Sequence, residues 1–166
     1  MKILAFDQSS VATGWALFND GQLTNYGVFD MKKEKDSASR IQKMEFLIAD
    51  MVHDEQPDIV VIEDVSLQTN VSTLVMLARL QGAIQYIALD AGADVEIYKP
   101  SHWRKGVGIK TGKGIQRTEL KQAAKQLVFD TYAAKVTDDI ADAILIGLCA
   151  VNEYKEKTEY EQPDLF

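Results

Sequence analysis

Cysteine is nearly absent: Cys149 is the only one in the chain, which excludes a disulfide within the molecule. Set in an apolar helical run, it reads as a buried thiol suited to a reducing compartment. Long apolar runs are absent too. No stretch reaches the roughly 18 apolar residues of a membrane-spanning helix, and the opening MKILAFDQ lacks the apolar length of a signal peptide. A cytoplasmic protein with no membrane partner is therefore expected. Neither a low-complexity segment nor an internal repeat breaks the pattern. What is present is a globular composition, 166 residues of which 46% are hydrophobic, enough to bury one core. One domain is expected over residues 1–154, followed by a charged, flexible tail over 155–166.

The net charge of −7 alone argues against a nucleic-acid partner, because neutralising phosphates with Lys and Arg supplies most non-specific affinity. Its distribution reverses that reading. Between Lys99 and Lys125 stand eight basic residues (Lys99, Arg104, Lys105, Lys110, Lys113, Arg117, Lys121, Lys125) and one acid, Glu119, a local charge of +7 that leaves −14 for the remainder. A cationic face for a polyanion beside an acidic centre is what such asymmetry produces. The bland alternative is a solvated helix face.

Alternation and spacing give the elements. Lys2–Phe6, Gly14–Phe18 and Gln22–Phe29 read as three strands, the last two joined by the tight turn Asn19-Asp20-Gly21. Ile41, Met44, Leu47, Ile48, Met51 and Val52 recur at helical spacing, so a helix should run to about His53, with Pro57 beyond its end. Asp58–Glu63 is apolar between acidic ends and rich in β-branched residues, as a central parallel strand should be. A helix over Ser72–Asp90, a strand through Val95, Ile97 and Tyr98, a basic region part loop and part helix, and a last helix from about Asp139 to Tyr154 complete the order. The expectation is an α/β fold with a five-stranded mixed sheet, three strands antiparallel and two parallel, flanked by helices.

Acids stand where these elements end. Asp7 closes the first strand and Glu63 the fourth; parallel neighbours would project both at one sheet edge, where open α/β sheets hold their ligands. Asp139 and Asp142, three apart at the start of the last helix, share one face. Each has a structural alternative: Asp7 could turn the chain, Glu63 and Asp64 could begin a loop, and Asp138 or Asp139 could cap the helix. Asp142 lacks that excuse. It interrupts the apolar run Ile140, Ala141, Ala143, Ile144, Leu145, Ile146, where a carboxylate is costly unless exposed or paired. Four repelling acids call for a positive charge between them. Hard oxygen donors suit Mg²⁺ or Mn²⁺, and two such ions about 4 Å apart can hydrolyse a phosphodiester.

The segments Ile3-Leu4-Ala5-Phe6-Asp7 with Thr13-Gly14-Trp15-Ala16, then Val60-Val61-Ile62-Glu63, then Asp139-Ile140-Ala141-Asp142-Ala143, resemble the three acidic motifs of the RuvC-type Holliday junction resolvases. They come in the expected order over almost the whole chain, and in flavour are nearest the shorter phage-encoded members. The resemblance implies a ribonuclease H-like fold and a homodimer on four-way, three-way or flap DNA. It also implies crossover-junction endodeoxyribonuclease activity with two Mg²⁺ (or Mn²⁺) per site, held by the catalytic Asp7, Glu63, Asp139 and Asp142, with Asp138 as the substitute ligand in a shifted helix register. Two departures stand out. After the motif glutamate the bacterial enzymes carry a base-stacking aromatic, where this chain has Val65, Ser66 and Leu67, and their downstream lysines have no clear match through Trp103–Ile109.

Within the basic region, Gly108 to Gly114 looks like a phosphate-binding P-loop but has one residue too few between Gly108 and Gly112, and Gly114 where Ser or Thr should follow Lys113. A cationic loop closing over DNA is the better reading, with Arg104, Lys105, Lys110, Lys113, Arg117 and Lys121 as phosphate contacts. Trp103 is either core or a stacking platform for an unpaired base, and His102 is a candidate for proton transfer. The closing Gln162-Pro163-Asp164-Leu165-Phe166 resembles the peptide by which bacterial replication proteins hook a sliding clamp, with Gln162, Leu165 and Phe166 in the anchoring places. Two other functions are open. Asp7-Gln8-Ser9-Ser10 with Gly14 resembles the phosphate loop of actin-like sugar kinases, though those need two such domains; a non-catalytic branched-DNA-binding module is the other.

Overall fold

The computed structural model describes residues 1–66 and 70–161, the side chains of 158–161 apart. The chain runs β1 (Lys2–Asp7), β2 (Ala12–Asn19), β3 (Gln22–Asp30), α1 (Ser37–Glu55), β4 (Ile59–Glu63), α2 (Val71–Asp90), β5 (Asp94–Tyr98), α3 (Pro100–Gly106), α4 (Arg117–Tyr132) and α5 (Asp138–Glu161). One sheet of order β3-β2-β1-β4-β5 contains every strand. β1 pairs antiparallel with β2, and β2 with β3, while β1–β4 and β4–β5 are parallel, so the expected mixed sheet of three antiparallel and two parallel strands is present.

Local chemistry explains the boundaries. Asp20 and Gly21 both take positive φ in a two-residue loop between Asn19 and its partner Gln22, the geometry that a hairpin with twisted strands requires. Asp36 caps α1 by accepting from the Ser39 N–H at 2.8 Å, and Gln56, in the left-handed region just before Pro57, ends it. Asn70 caps α2 through its side chain, accepting from the N–H groups of Ser72 and Thr73.

The strand pleat sorts side chains to two cores. Leu4, Phe6, Val60 and Ile62 pack under α1 and α2 with Met44, Ile48, Leu80 and Ile84. Ile3, Ala5, Ile59 and Val61 face the other way, onto α5 and its neighbours, with Trp103, Val128, Ile144 and Leu145. Cys149 lies within this second core as the buried thiol expected. α5 lies close on the sheet because Gly147 has no side chain: a Cβ there would stand 2.4 Å from Phe18 and 3.1 Å from Ala5.

One expectation changes at the end of a helix. The basic region is part helix and part loop as expected, α3 and α4 joined by residues 107–116, but the last helix does not stop near Tyr154 and continues to Glu161. The flexible tail expected from residue 155 is therefore helical at its start. Lys155, Glu156, Lys157 and Glu159 are good helix formers at spacings that pair opposite charges, and the Lys157 ammonium sits 4.9 Å over the Tyr154 ring. The clamp-like Gln162, Leu165 and Phe166 lie outside the described residues. No helix of the described residues is long and apolar enough to cross a membrane.

Candidate active site

The site follows from register. β1 and β4 run parallel with Phe6 opposite Ile62, so Asp7 and Glu63 are the next side-by-side residues at the carboxyl ends of both strands. Phe6 and Ile62 face α1 and α2, so alternation turns Asp7 and Glu63 toward α5. Asp7 also pairs with Gly14 on β2, and there the first turn of α5 arrives. A Cβ on Gly14 would stand 1.9 Å from the Asp139 carbonyl oxygen, so glycine is the only residue that lets α5 come this near. Asp139 is thereby brought over the end of β1, and Asp142 follows one turn later.

Asp7, Glu63, Asp139 and Asp142 all line one cleft of about 700 Å³, together with Asp138, Arg104, Arg117 and Lys121. Burial raises the Asp7 carboxyl well above the usual range, and the charges of Asp142, Glu63 and Asp139 push it further while Arg104 opposes them. Burial also raises Glu63, against the Trp103 indole, which donates to its Oε2 at 2.9 Å, and the cations Arg104 and Arg117. Asp142, only 16% exposed, is pushed up to about 6, again first by burial, with Arg104 Nη2 4.0 Å away opposing and Glu63 adding to the rise.

Asp138 differs. Lys121 Nζ at 2.8 Å and Lys125 Nζ at 2.9 Å hold its carboxylate, and those hydrogen bonds lower its pKa. Its charge is already answered by the protein. The remaining acids line the cleft with oxygen donors alone, a chemistry that fits a hard divalent cation such as Mg²⁺ or Mn²⁺, though as they stand their carboxylates are spread along the cleft and not gathered around one point.

The basic candidates divide. Arg104, Arg117 and Lys121 line the cleft, whereas Lys105, Lys110 and Lys113 are exposed outside its lining. Arg104 stacks on Trp103 at 4.4 Å, beside the acids. Trp103 is fully buried and so presents no platform for a base; it is core, with the added task of holding Glu63. His102 does not line the cleft, and its Nε2 instead meets Glu153 Oε1 at 2.6 Å.

Three supporting residues escaped the sequence reading. Gln8 donates from Nε2 to the Glu63 main-chain carbonyl, tying the exits of β1 and β4 together. Gln81, buried on α2, accepts from the Val65 N–H at 3.1 Å and donates to Asp64 Oδ1 at 3.4 Å. Thr13 Oγ1 accepts from the Ser9 N–H at 3.0 Å and donates to the Ser9 carbonyl at 2.7 Å, closing the loop after Asp7. Thr13 and Gln81 carry one legible signal, a polar side chain between apolar or small neighbours, whereas Gln8, between Asp7 and Ser9, carries none.

A family model described as crossover junction endodeoxyribonuclease RuvC matches residues 3–150. The protein of that name from Heliobacterium modesticaldum is 28% identical over 159 residues, covering 92% of this chain and 94% of its own length. That from Syntrophomonas wolfei is 23% identical over 159 residues, covering 93% and 91%. Among solved structures, T. thermophilus RuvC in complex with Holliday junction substrate superposes with a TM-score of 0.74 at 16% identity, covering 95% of this chain and 97% of that one. The yeast mitochondrial Holliday junction resolvase Ydc2 gives 0.64 at 13% identity, covering 95% and 80%. These likenesses fix the fold as the ribonuclease H-like one. With the family model spanning nearly all of the described sheet and helices, the chain belongs to the crossover junction endodeoxyribonuclease RuvC family.

Proposed function

We propose that this protein is a divalent-metal-dependent endodeoxyribonuclease that cuts Holliday junctions or related branched DNA by phosphodiester hydrolysis. The observation that carries the reading is the convergence of four acids on a cleft where burial above all pushes Asp7, Glu63 and Asp142 toward protonation, more than the nearby cations offset. Bound Mg²⁺ or Mn²⁺, two ions per site, would polarise the phosphodiester and activate a water. Asp7 and Glu63 present their carboxylates from the strand ends, Asp139 and Asp142 from the helix. Trp103 keeps Glu63 turned into the cleft, and Gln8 fixes the backbone beneath it. Arg104 stands where it can meet a phosphate oxygen beside Asp142, and Arg117 and Lys121 extend that cationic wall. Lys105, Lys110 and Lys113 then track the phosphates further out.

Two cuts in a symmetric junction need two active sites, which suits a homodimer. The exposed apolar stripe of α2, with Val71, Val75, Tyr86 and Leu89, is the surface offered to the second copy. The Gln162–Phe166 peptide serves as a sliding-clamp hook, and the activity belongs to the cytoplasm.

The purified protein, given four-way, three-way, flap and linear DNA, should nick the branched substrates with Mg²⁺ or Mn²⁺ and nothing in EDTA. Binding of a junction without cleavage by either ion would favour the non-catalytic module and overturn the enzyme reading.

A further inference from the structure

We propose that His102, Cys149 and Glu153 form a second metal site, for a zinc-like divalent cation, between α3 and α5 and separate from the acidic cleft. One donor atom from each of the three lies within 4.8 Å of the other two. Donors around a tetrahedral zinc stand roughly 3.4–3.6 Å apart, given Zn–N and Zn–S distances near 2.1 and 2.3 Å, so small side-chain rotations suffice to admit the ion. Cys149 and Glu153 are one turn apart on the same face of α5, and His102 reaches them from α3.

The surroundings fit a cation. Burial first, then the Glu153 charge, pushes the Cys149 thiol up to about 12, and burial with the charges of Glu153, Cys149 and Glu96 raises the Tyr98 hydroxyl, so no positive charge among the described residues yet answers this cluster. Tyr98 donates its hydroxyl to Glu153 Oε2 at 2.7 Å, leaving Oε1 turned toward His102 Nε2 at 2.6 Å and Cys149 Sγ at 3.9 Å. A hydroxyl that orients a ligating carboxylate is the usual outer partner of a metal site. Gly106 leaves the thiol its room, since a Cβ there would stand 2.5 Å from Sγ. His102, half-exposed, gives the ion its entrance and leaves a fourth position for water.

Nitrogen, sulfur and oxygen donors together select zinc over magnesium, whereas the acidic cleft offers oxygen alone. The two sites therefore take different ions. A filled site staples α3 to α5 directly before Trp103 and Arg104, the residues that meet Glu63 and Asp142. None of this depends on the nuclease reading, because the site and its test involve no DNA.

The test is Co²⁺ titration of the full chain, read through a band that requires a thiolate, so cobalt held by oxygen donors alone is silent in it. With one cysteine in the chain, a thiolate-to-cobalt charge-transfer band can arise only from Cys149. One equivalent should produce that band with tetrahedral d–d intensity, and Zn²⁺ should displace it. Cys149→Ser should abolish the band, and His102→Gln and Tyr98→Phe should weaken Co²⁺ binding by roughly tenfold or more. His102 is at the surface, so its variant keeps the test valid if Cys149→Ser misfolds. Zinc should also raise the unfolding temperature of the wild-type protein but not of His102→Gln. Absence of the charge-transfer band at saturating Co²⁺, or a band undiminished in His102→Gln and Glu153→Gln, would overturn the site.

Discussion

Asp138 and Asp142 stand one turn apart on α5 and line the same cleft, yet their charges meet opposite treatment. Two lysines hold the Asp138 carboxylate at 2.8 and 2.9 Å and lower its pKa. Asp142 has one guanidinium nitrogen at 4.0 Å, lies largely buried, and is pushed up to about 6. A carboxylate answered by the protein contributes to the fold; on the function proposed above, one left unanswered beside other carboxylates is the one available to a ligand from outside. The comparison predicts an asymmetry that one pair of variants can break. Asp142→Asn should lower single-turnover cleavage of a four-way junction by on the order of 10³-fold while binding in Ca²⁺ persists. Asp138→Asn should cost less than about tenfold, since its partly exposed ion pairs contribute little. Equal loss in both would move the helix ligand to Asp138 and its shifted register.

The contrast holds only because the first turn of α5 sits where it does, and Gly14 sets that position. Gly14→Ala places a Cβ against the Asp139 backbone, which has no flexible end to swing aside. Such overpacking costs about 3 kcal/mol, and displacement of the turn by an ångström should slow cleavage by roughly 10²-fold. The cations Arg104, Arg117 and Lys121 stand on α3 and α4 and keep their places, so the variant should impair catalysis more than it weakens junction binding. Thermal unfolding and cleavage measured together check this; wild-type values for both would mean the helix does not depend on that close approach.

The mixed sheet of three antiparallel and two parallel strands, and the four acids that line one cleft, were legible because element faces and ends follow from local rules. Period-two alternation gives the faces of β1 and β4, apolar runs give their ends, and a carboxylate inside an apolar helix marks Asp142. What stayed hidden depends on residues far apart in sequence. Trp103 could be read as core or platform, but its bond to Glu63 spans 40 positions and exists only once α3 packs against α5. Arg104 was read as a phosphate contact, and its place beside Asp142 needed the same packing. His102, read as a proton carrier, turned to Glu153 at the far end of α5, which no spacing rule connects. The length of α5 has a different reason. Its charged end reads in sequence as a frayed helix end and a flexible tail, while Lys155, Glu156 and Lys157 are strong helix formers once a buried helix precedes them.

The smallest effect concerns stability in the absence of metal, and its sign separates the two aspartates again. Asp142 has a folded-state pKa of about 6 against an ordinary 3.8, so the unfolded chain releases that proton first. Its contribution is full below the unfolded value and is lost as pH rises from about 4 to 6; Asp7 and Glu63, also raised, act in the same direction. Asp138, lowered, contributes above its unfolded value and loses that contribution only as pH falls through its folded one. At about 1.4 kcal/mol per pKa unit, Asp142 alone is worth about 3 kcal/mol, or several degrees of unfolding temperature. In EDTA the protein should therefore melt several degrees higher near pH 5 than near pH 7, and Asp142→Asn should flatten the slope. Mg²⁺ at a hundredfold excess over its dissociation constant should restore about 2.7 kcal/mol at neutral pH and leave the acid end nearly unchanged. A melting temperature that climbs with pH in EDTA would mean that the cleft already satisfies its acids and that the distinction from Asp138 fails.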